Sequence, residues 1–280
     1  MMRTITGLGP REAEFLVVMA GSGREVFTTE QAAAFWGSGQ SMRNALAHLE
    51  KKGWLQRLER GKYLVVPLSA GPGREWSEDP LAIGAFLVPD GGAGYWSAVR
   101  HWGWTTQLPQ TQFFITSCRR FRSRLVVLGV PYVFVTMKPE RVFGFAEEWS
   151  GGLRIRVTDR ERTVVDILHR TDLAGGIAEV ADALKEAWPE LDQERLWDYT
   201  RRFGSGTVPK RLGFLAEHLG LPGIEPWVLR WQQGMGAGMT NLERGGVAGG
   251  RLVRRWGLRV NASGFDRVAG ASVGSVDSAG

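Results

Sequence analysis

The stretch that most constrains this chain is Gln40–Lys52, together with what flanks it. Its apolar residues fall at Met42, Ala45, Leu46 and Leu49, the spacing of one helical face. The other face reads Gln40, Ser41, Arg43, Asn44, Ala47, His48 and Lys51, with no acid before Glu50. Gly37-Ser38-Gly39 precedes the segment, and Gly53 follows it, where a helix stop favours glycine. Such a helix is wet on one side and must bury the other against further elements.

Those elements are readable on either side. Pro10 opens a first helix that runs to Ala20. Thr28, with Gln31 three residues on, forms a capping-box pattern for a second helix, Thr29–Trp36. After Gly53, Leu55–Leu58 and Lys62–Val66 flank a turn at Glu59-Arg60-Gly61, the pattern of a β-hairpin. Helix, helix, tight turn, helix, hairpin is the order of a winged helix-turn-helix.

The polar face of the third helix has the chemistry that base reading needs. Arginine matches guanine O6 and N7, and Asn or Gln pairs bidentately with adenine. Ser41 and the free N–H groups of the helix start suit a phosphate. Ala47 is small enough for close approach to a groove. The hairpin adds Arg57, Arg60 and Lys62 for a flanking backbone or minor groove. The candidate DNA-contact set is therefore Thr28, Gln40, Ser41, Arg43, Asn44, His48, Lys51, Arg57, Arg60 and Lys62. A solvated helix face is the blander reading of any one of these residues. The agreement of element order, glycine turn, acid-poor face and basic wing favours DNA.

Charge and composition agree with this direction. The 280 residues carry a formal net charge of +6, which favours a polyanionic partner. Hydrophobic residues make up 43% and charged residues 23%, an ordinary globular balance that can bury a core unaided. The single cysteine, Cys118, rules out an internal disulfide and a cysteine-rich metal site. A cytoplasmic location is expected. Glu12 and Glu14 interrupt any secretory pattern, and no apolar stretch approaches the ~20 residues of a bilayer span.

Composition divides the chain into a winged helix-turn-helix at 1–68, a linker at 69–77 around Gly71-Pro72-Gly73, a larger domain at 78–261, and a small polar tail at 262–280. In the larger domain helices are expected at Glu78–Val88, Tyr95–Trp102, Arg160–His169, Ile177–Ala187, Gln193–Phe203 and Val208–Leu219. Strands are expected at Gln112–Ser117, Tyr132–Met137, Leu153–Thr158 and Arg255–Asn261. The fold class is α+β: an N-terminal winged helix-turn-helix plus a larger C-terminal α/β domain with a small sheet and several helices. Trp96, Trp102 and Trp104 read as core, and Gly91–Gly94 as a loop.

A search of the second domain for catalysis finds little. Asp159, Glu161 and Asp166 are clustered carboxylates, but Asp159 reads as a helix cap and Glu161 suits the positive end of the helix dipole. Asp166 lies on the same helix and could face water. A nucleic-acid-processing enzyme using these three as metal ligands is the competing reading; a winged helix that contacts only protein is a third. The histidines His48, His101, His169 and His218 have no metal spacing. Gly234–Gly250 lacks the Gly-Lys-Ser/Thr of a phosphate loop. No metal, cofactor or catalytic residue is expected. Arg119, Arg120, Arg122 and Arg124 read equally as a solvated loop or as a second basic patch for nucleic acid or an acidic partner surface, with Arg251, Arg254, Arg255 and Arg259 as a further basic group.

The run Gly53-Trp54-Leu55-Gln56-Arg57-Leu58-Glu59-Arg60-Gly61-Lys62-Tyr63 resembles the wing of AbiEi-type antitoxins. Tyr95-Trp96-Ser97-Ala98, Gly103-Trp104-Thr105-Thr106-Gln107, the segment Lys138–Phe145 and the segment Thr158–Asp166 are similar to the same family, in the same order. The resemblance implies an antitoxin of a type IV toxin–antitoxin pair linked to phage defence. It implies a winged helix that represses its own operon at inverted repeats in double-stranded DNA. It also implies a second domain that opposes a nucleotidyltransferase-like toxin without a stable complex. Within that picture the chain acts as a monomer or weak dimer and is not an enzyme.

Overall fold

The computed structural model describes residues 7–21, 26–66, 80–119, 122–127, 129–150 and 153–265. The linker expected at 69–77 lies outside them, as does all of the expected tail beyond Phe265.

The N-terminal part is built from α1 (Pro10–Gly21), β1 (Val26–Thr28), α2 (Thr29–Trp36), α3 (Gln40–Lys52), β2 (Leu55–Glu59) and β3 (Lys62–Val65). The capping box at Thr28 forms as its residue types require: the side chain accepts from Gln31 N–H, and the Gln31 side chain accepts from Thr28 N–H. Gly53 takes the left-handed conformation at φ 88° and ends α3; the Trp54 N–H then reaches back to the Leu49 carbonyl at 2.9 Å. The three strands pair antiparallel in the order β1-β3-β2, with a bulge between Arg57 and Glu59 that sharpens the twist of the hairpin. Phe15 is the pivot of the core. Its ring stacks on Trp36 at 4.1 Å and meets Phe27 edge-on at 5.3 Å, above buried Leu46, Leu49 and Leu55.

The larger part begins with α4 (Pro80–Leu87) and a six-stranded mixed sheet. Its strands are β4 (Gly92–Ala93), β5 (Gln112–Thr116), β6 (Arg124–Val127), β7 (Val130–Thr136), β8 (Phe145–Ser150) and β9 (Leu153–Thr158), in the spatial order β6-β7-β5-β4-β9-β8. The pairs β5–β7 and β4–β9 are parallel; β4–β5, β6–β7 and β8–β9 are antiparallel. Gly91–Gly94 is thus not a loop, because it carries the two-residue strand at the centre of the sheet. A Cβ on Gly91 would sit 1.7 Å from the Ile115 carbonyl oxygen, and one on Gly92 would sit 2.5 Å from that of Arg156.

The helices α5 (Tyr95–His101), α6 (Arg160–His169), α7 (Ile177–Ala187), α8 (Gln193–Phe203), α9 (Thr207–His218) and α10 (Glu225–Gln233) complete this part. A small sheet of β10 (Thr240–Asn241), β12 (Leu258–Val260) and β11 (Arg251–Val253) lies in that order. The strand expected from Arg255 starts only at Leu258, because Arg254–Trp256 is a 3-10 turn that drives the Trp256 ring into the core. Phe265, expected in a frayed tail, is buried against Phe214 and His218. Helix α6 is enclosed on every side, with α5, α7, α8 and α9 packed around it.

The two parts share a core. Leu58 and Leu64, on the rear of the wing, pack in one cluster with Ile83 and Leu87 of α4 and with Phe114, Tyr132 and Phe134 of the sheet. The wing is therefore braced from behind. No described helix is long and apolar enough to cross a membrane.

Candidate nucleic-acid interface

Helix α3 divides as its sequence requires. Met42, Leu46 and Leu49 are buried in the winged-helix core. Gln40, Ser41, Arg43, Asn44, Ala47, His48 and Lys51 are all exposed. Lys52, one residue on, turns inward and pairs with Glu12 of α1 at 2.6 Å, which clamps the end of α3 to the bundle. Burial pushes the Glu12 carboxyl up, but the Lys52 hydrogen bond and the Gly9 N–H outweigh it and hold it below its ordinary value.

On the exposed face three polar side chains are joined. The Arg43 Nε and Nη2 donate to the Gln40 Oε1, and the Gln40 Nε2 donates to the Asn44 Oδ1 at 2.8 Å. The start of α3 has Gly39 as its cap, at φ 145°, with no side chain filling the cap position. A Cβ on Gly39 would meet no atom within 4 Å, and a helix start without a side-chain cap is a setting in which first-turn N–H groups can receive a phosphate.

The wing contributes two of its three expected cations. Arg57 and Arg60 are exposed. Lys62 is not presented outward: its Nζ donates to the Phe86 and Leu87 carbonyls at 3.4 and 3.2 Å and pairs with Glu59 at 3.0 Å. It thereby satisfies the last carbonyls of α4, which have no partner within their own helix. The hairpin position of Lys62 carries no sign of this partner in the sequence, because α4 is remote along the chain. Thr28 is likewise engaged, as the cap of α2. The Thr29 N–H donates to the Gly61 carbonyl at 2.8 Å, tying the start of α2 to the tip of the wing.

The second arginine patch is a separate feature. Arg119 and Arg122 lie in the β5–β6 connection and Arg124 opens β6; all three are exposed, while Arg120 lies outside the described residues. β6 is an edge strand, where charge blunts unwanted strand pairing. The root of this connection is pinned by Asp90. Its carboxylate accepts from the Ser117 and Cys118 N–H groups at 2.7 and 3.1 Å and from the Thr116 and Ser117 hydroxyls. Burial raises the Asp90 carboxyl, but these hydrogen bonds outweigh it and bring it down to about 2. Arg251 and Arg259 sit on the small sheet with Arg254 and Arg255 beside it, apart from the six-stranded sheet that carries Arg124.

Each of the three clustered carboxylates has a partner within the fold, although the buried Asp166 Oδ2 has none among the described residues. Asp159 caps α6 through the Arg162 N–H and accepts from the Tyr199 hydroxyl. Glu161 accepts from the Asp192 N–H at 2.8 Å. Asp166 does not face water: it is 0% exposed and holds the equally buried Arg162 at 2.9 Å. Burial pushes the Asp166 carboxyl up to about 6, against the pull of Arg162. Among the described residues no group of three His, Cys, Asp or Glu side chains is placed to hold a metal.

The architecture is that of a two-part α+β protein headed by a winged helix, with the uncovered face of α3 at its front. Residues 19–66 of its N-terminal part match the family model described as a transcriptional regulator, AbiEi antitoxin. No curated protein matches the chain. Among solved structures, the crystal structure of the RV2827C protein from Mycobacterium tuberculosis shares the fold. Its TM-score is 0.62 at 17% identity, over 91% of this chain and 93% of that one.

Proposed function

We propose that this chain is a DNA-binding autorepressor and the antitoxin of a type IV toxin–antitoxin pair. The observation that carries the DNA-binding reading is the split of α3. Seven exposed positions, Arg43, Asn44 and Gln40 among them, stand over buried Met42, Leu46 and Leu49, with no carboxylate before Glu50. In this reading α3 enters a major groove, Arg43 and the two amides read base edges, and Arg57 and Arg60 bind the flanking backbone. Residues 1–68 form the DNA-binding module and 78–261 the part that opposes the toxin. The match of residues 19–66 to an antitoxin regulator family supports both roles. The partner is a nucleotidyltransferase-like toxin, opposed without a stable complex. The chain itself acts as a binding protein and not as an enzyme, and works inside the cytoplasm as a monomer or weak dimer.

Inverted repeats would be filled by two copies, their half-sites about one helical turn (~10 bp) apart. Footprinting of the region upstream of the gene tests this reading. Two protected inverted half-sites are expected; a footprint insensitive to Arg43→Ala, or none at all, overturns it. The antitoxin role is tested by co-expression with the neighbouring toxin, using the full chain, because Leu58 and Leu64 share their core with α4. Growth rescue that survives loss of DNA binding is expected.

A further inference from the structure

Two cavities in the larger part, of about 290 and 470 Å³, meet at His169, which lines both. Lys138, Arg141 and Arg170 line the smaller one, and Arg211 and Arg244 the larger. No acidic residue lines either. These cations come from the end of β7, the end of α6, α9 and the segment after β10, so only tertiary structure assembles them.

We propose that these paired cavities form a site for a small phosphate-bearing ligand, with the five cations as its walls and His169 at its centre. The cations have some internal work, but it does not use them up. Arg170 forms a two-pronged pair with Asp172 at 2.7 and 2.8 Å, and Arg244 shares that same carboxylate at 3.7 Å. Arg141 donates to the Gly204 carbonyl and lies over the Phe203 ring. The Arg211 Nη1 donates to the Leu168 and His169 carbonyls, and its Nη2 to that of Asn241. Lys138 lies 4.0 Å from Glu140, an exposed pair worth little. Cationic side chains thus gather on two adjoining concavities whose linings contain no carboxylate.

Two unpartnered buried polar atoms belong to residues of these linings. The Tyr95 hydroxyl and the Arg211 Nε are buried and have no hydrogen-bond partner among the described residues. Tyr95 lines the smaller cavity, Arg211 the larger. A buried donor without a partner is unfavourable, and in a native structure it asks for an explanation such as an absent ligand or ion. Tyr95 also holds the left-handed backbone at φ 51°, which a tyrosine adopts only where its surroundings impose it.

His169 is part of the same logic. Burial, followed by the charges of Arg141, Arg170, Arg211 and Arg244, lowers its pKa to about 4, so the imidazole is neutral near pH 7. The cations therefore surround a neutral donor–acceptor and not a competing charge. Phosphate is the anion that fits: it carries more charge than a carboxylate, and its oxygens match the guanidinium fork. Free polyphosphate and the phosphate chain of a nucleotide share this chemistry.

Calorimetric titration of the full chain with sodium pyrophosphate, and separately with ATP, at about 0.15 M salt tests the site. Saturable binding of at least one, with Kd below about 1 mM, is expected. Tighter binding of ATP assigns a nucleotide; equal or weaker binding assigns an inorganic polyphosphate. Arg141→Gln and Arg244→Gln should each weaken binding about tenfold, the loss of one charge-assisted contact. Arg230→Gln, an exposed arginine paired with Glu194 and lining neither cavity, should leave binding unchanged. Tyr95→Phe should weaken binding without lowering the thermal midpoint of the ligand-free protein. A folded chain that binds neither anion overturns the proposal, as does binding that survives both arginine variants intact.

Discussion

The Arg43 guanidinium rests on the side-chain oxygen of Gln40, with Nε at 3.1 Å and Nη2 at 3.0 Å. The same Gln40 donates its amide to Asn44. Three polar groups are therefore pre-aligned along one exposed edge of α3, and in the proposed DNA-binding reading this lowers the entropy lost when they meet a groove. Arg43→Ala removes the fork and is expected to cost about 1–3 kcal/mol of operator affinity and to relax base preference at one position. Gel shifts against the operator and single-base variants measure both. Equal losses on every variant would reassign Arg43 to the backbone.

The wing is expected to act through charge alone. Arg57 and Arg60 are exposed and fixed by no described ion pair. Arg60→Ala should weaken all sequences alike and lower the slope of log affinity against log salt by about 1. Binding measured at several salt concentrations decides this, and a sequence-dependent loss would contradict it.

Lys62 is expected to behave differently from its neighbours on the hairpin. Its ammonium caps the end of α4 and lies 5.4 Å from the Phe86 ring centroid. Lys62→Met should leave the salt slope for DNA unchanged but lower unfolding stability by about 1 kcal/mol. A parallel loss of DNA affinity, with stability intact, would return Lys62 to the interface.

Asp90 should make the protein acid-sensitive. Its folded pKa of about 2 lies below the ordinary aspartate value of 3.8, so its contribution to stability is present above pH ~4 and is lost as pH falls toward 2. Asp90→Asn should lower the thermal midpoint at neutral pH and flatten its decline between pH ~4 and ~2. Melting curves across this range give the answer; an unchanged acid limb would mean the carboxylate does not hold the loop.

The Arg162–Asp166 pair is a structural cross-brace inside α6. Arg162 also donates to the Phe143 carbonyl and lies between the Phe143 and Phe203 rings. Asp166→Ala strands a buried guanidinium and should cost about 3–5 kcal/mol, whereas Arg162→Met with Asp166→Leu should cost less than either single change. Urea unfolding of the three variants provides the comparison. Stability unaffected by Asp166→Ala would reopen a catalytic role for that carboxylate.

Local chemistry was enough to determine the winged helix. A capping box at Thr28, a glycine stop at Gly53 and an apolar stripe at Met42, Leu46 and Leu49 act within one or two turns of chain, so residue types alone fix α2, α3 and the hairpin. The exposed face of α3 follows, because hiding one stripe bares the other. Tertiary structure decided everything that depends on distant partners. β4 is two glycine-flanked residues with no periodicity of their own, made a strand by backbones on both sides. Lys62 left the wing for α4, Asp166 left water for Arg162, and five cations from four separate segments met around His169. Burial and long-range charge depend on what the folded chain brings near, and sequence spacing carries no record of that.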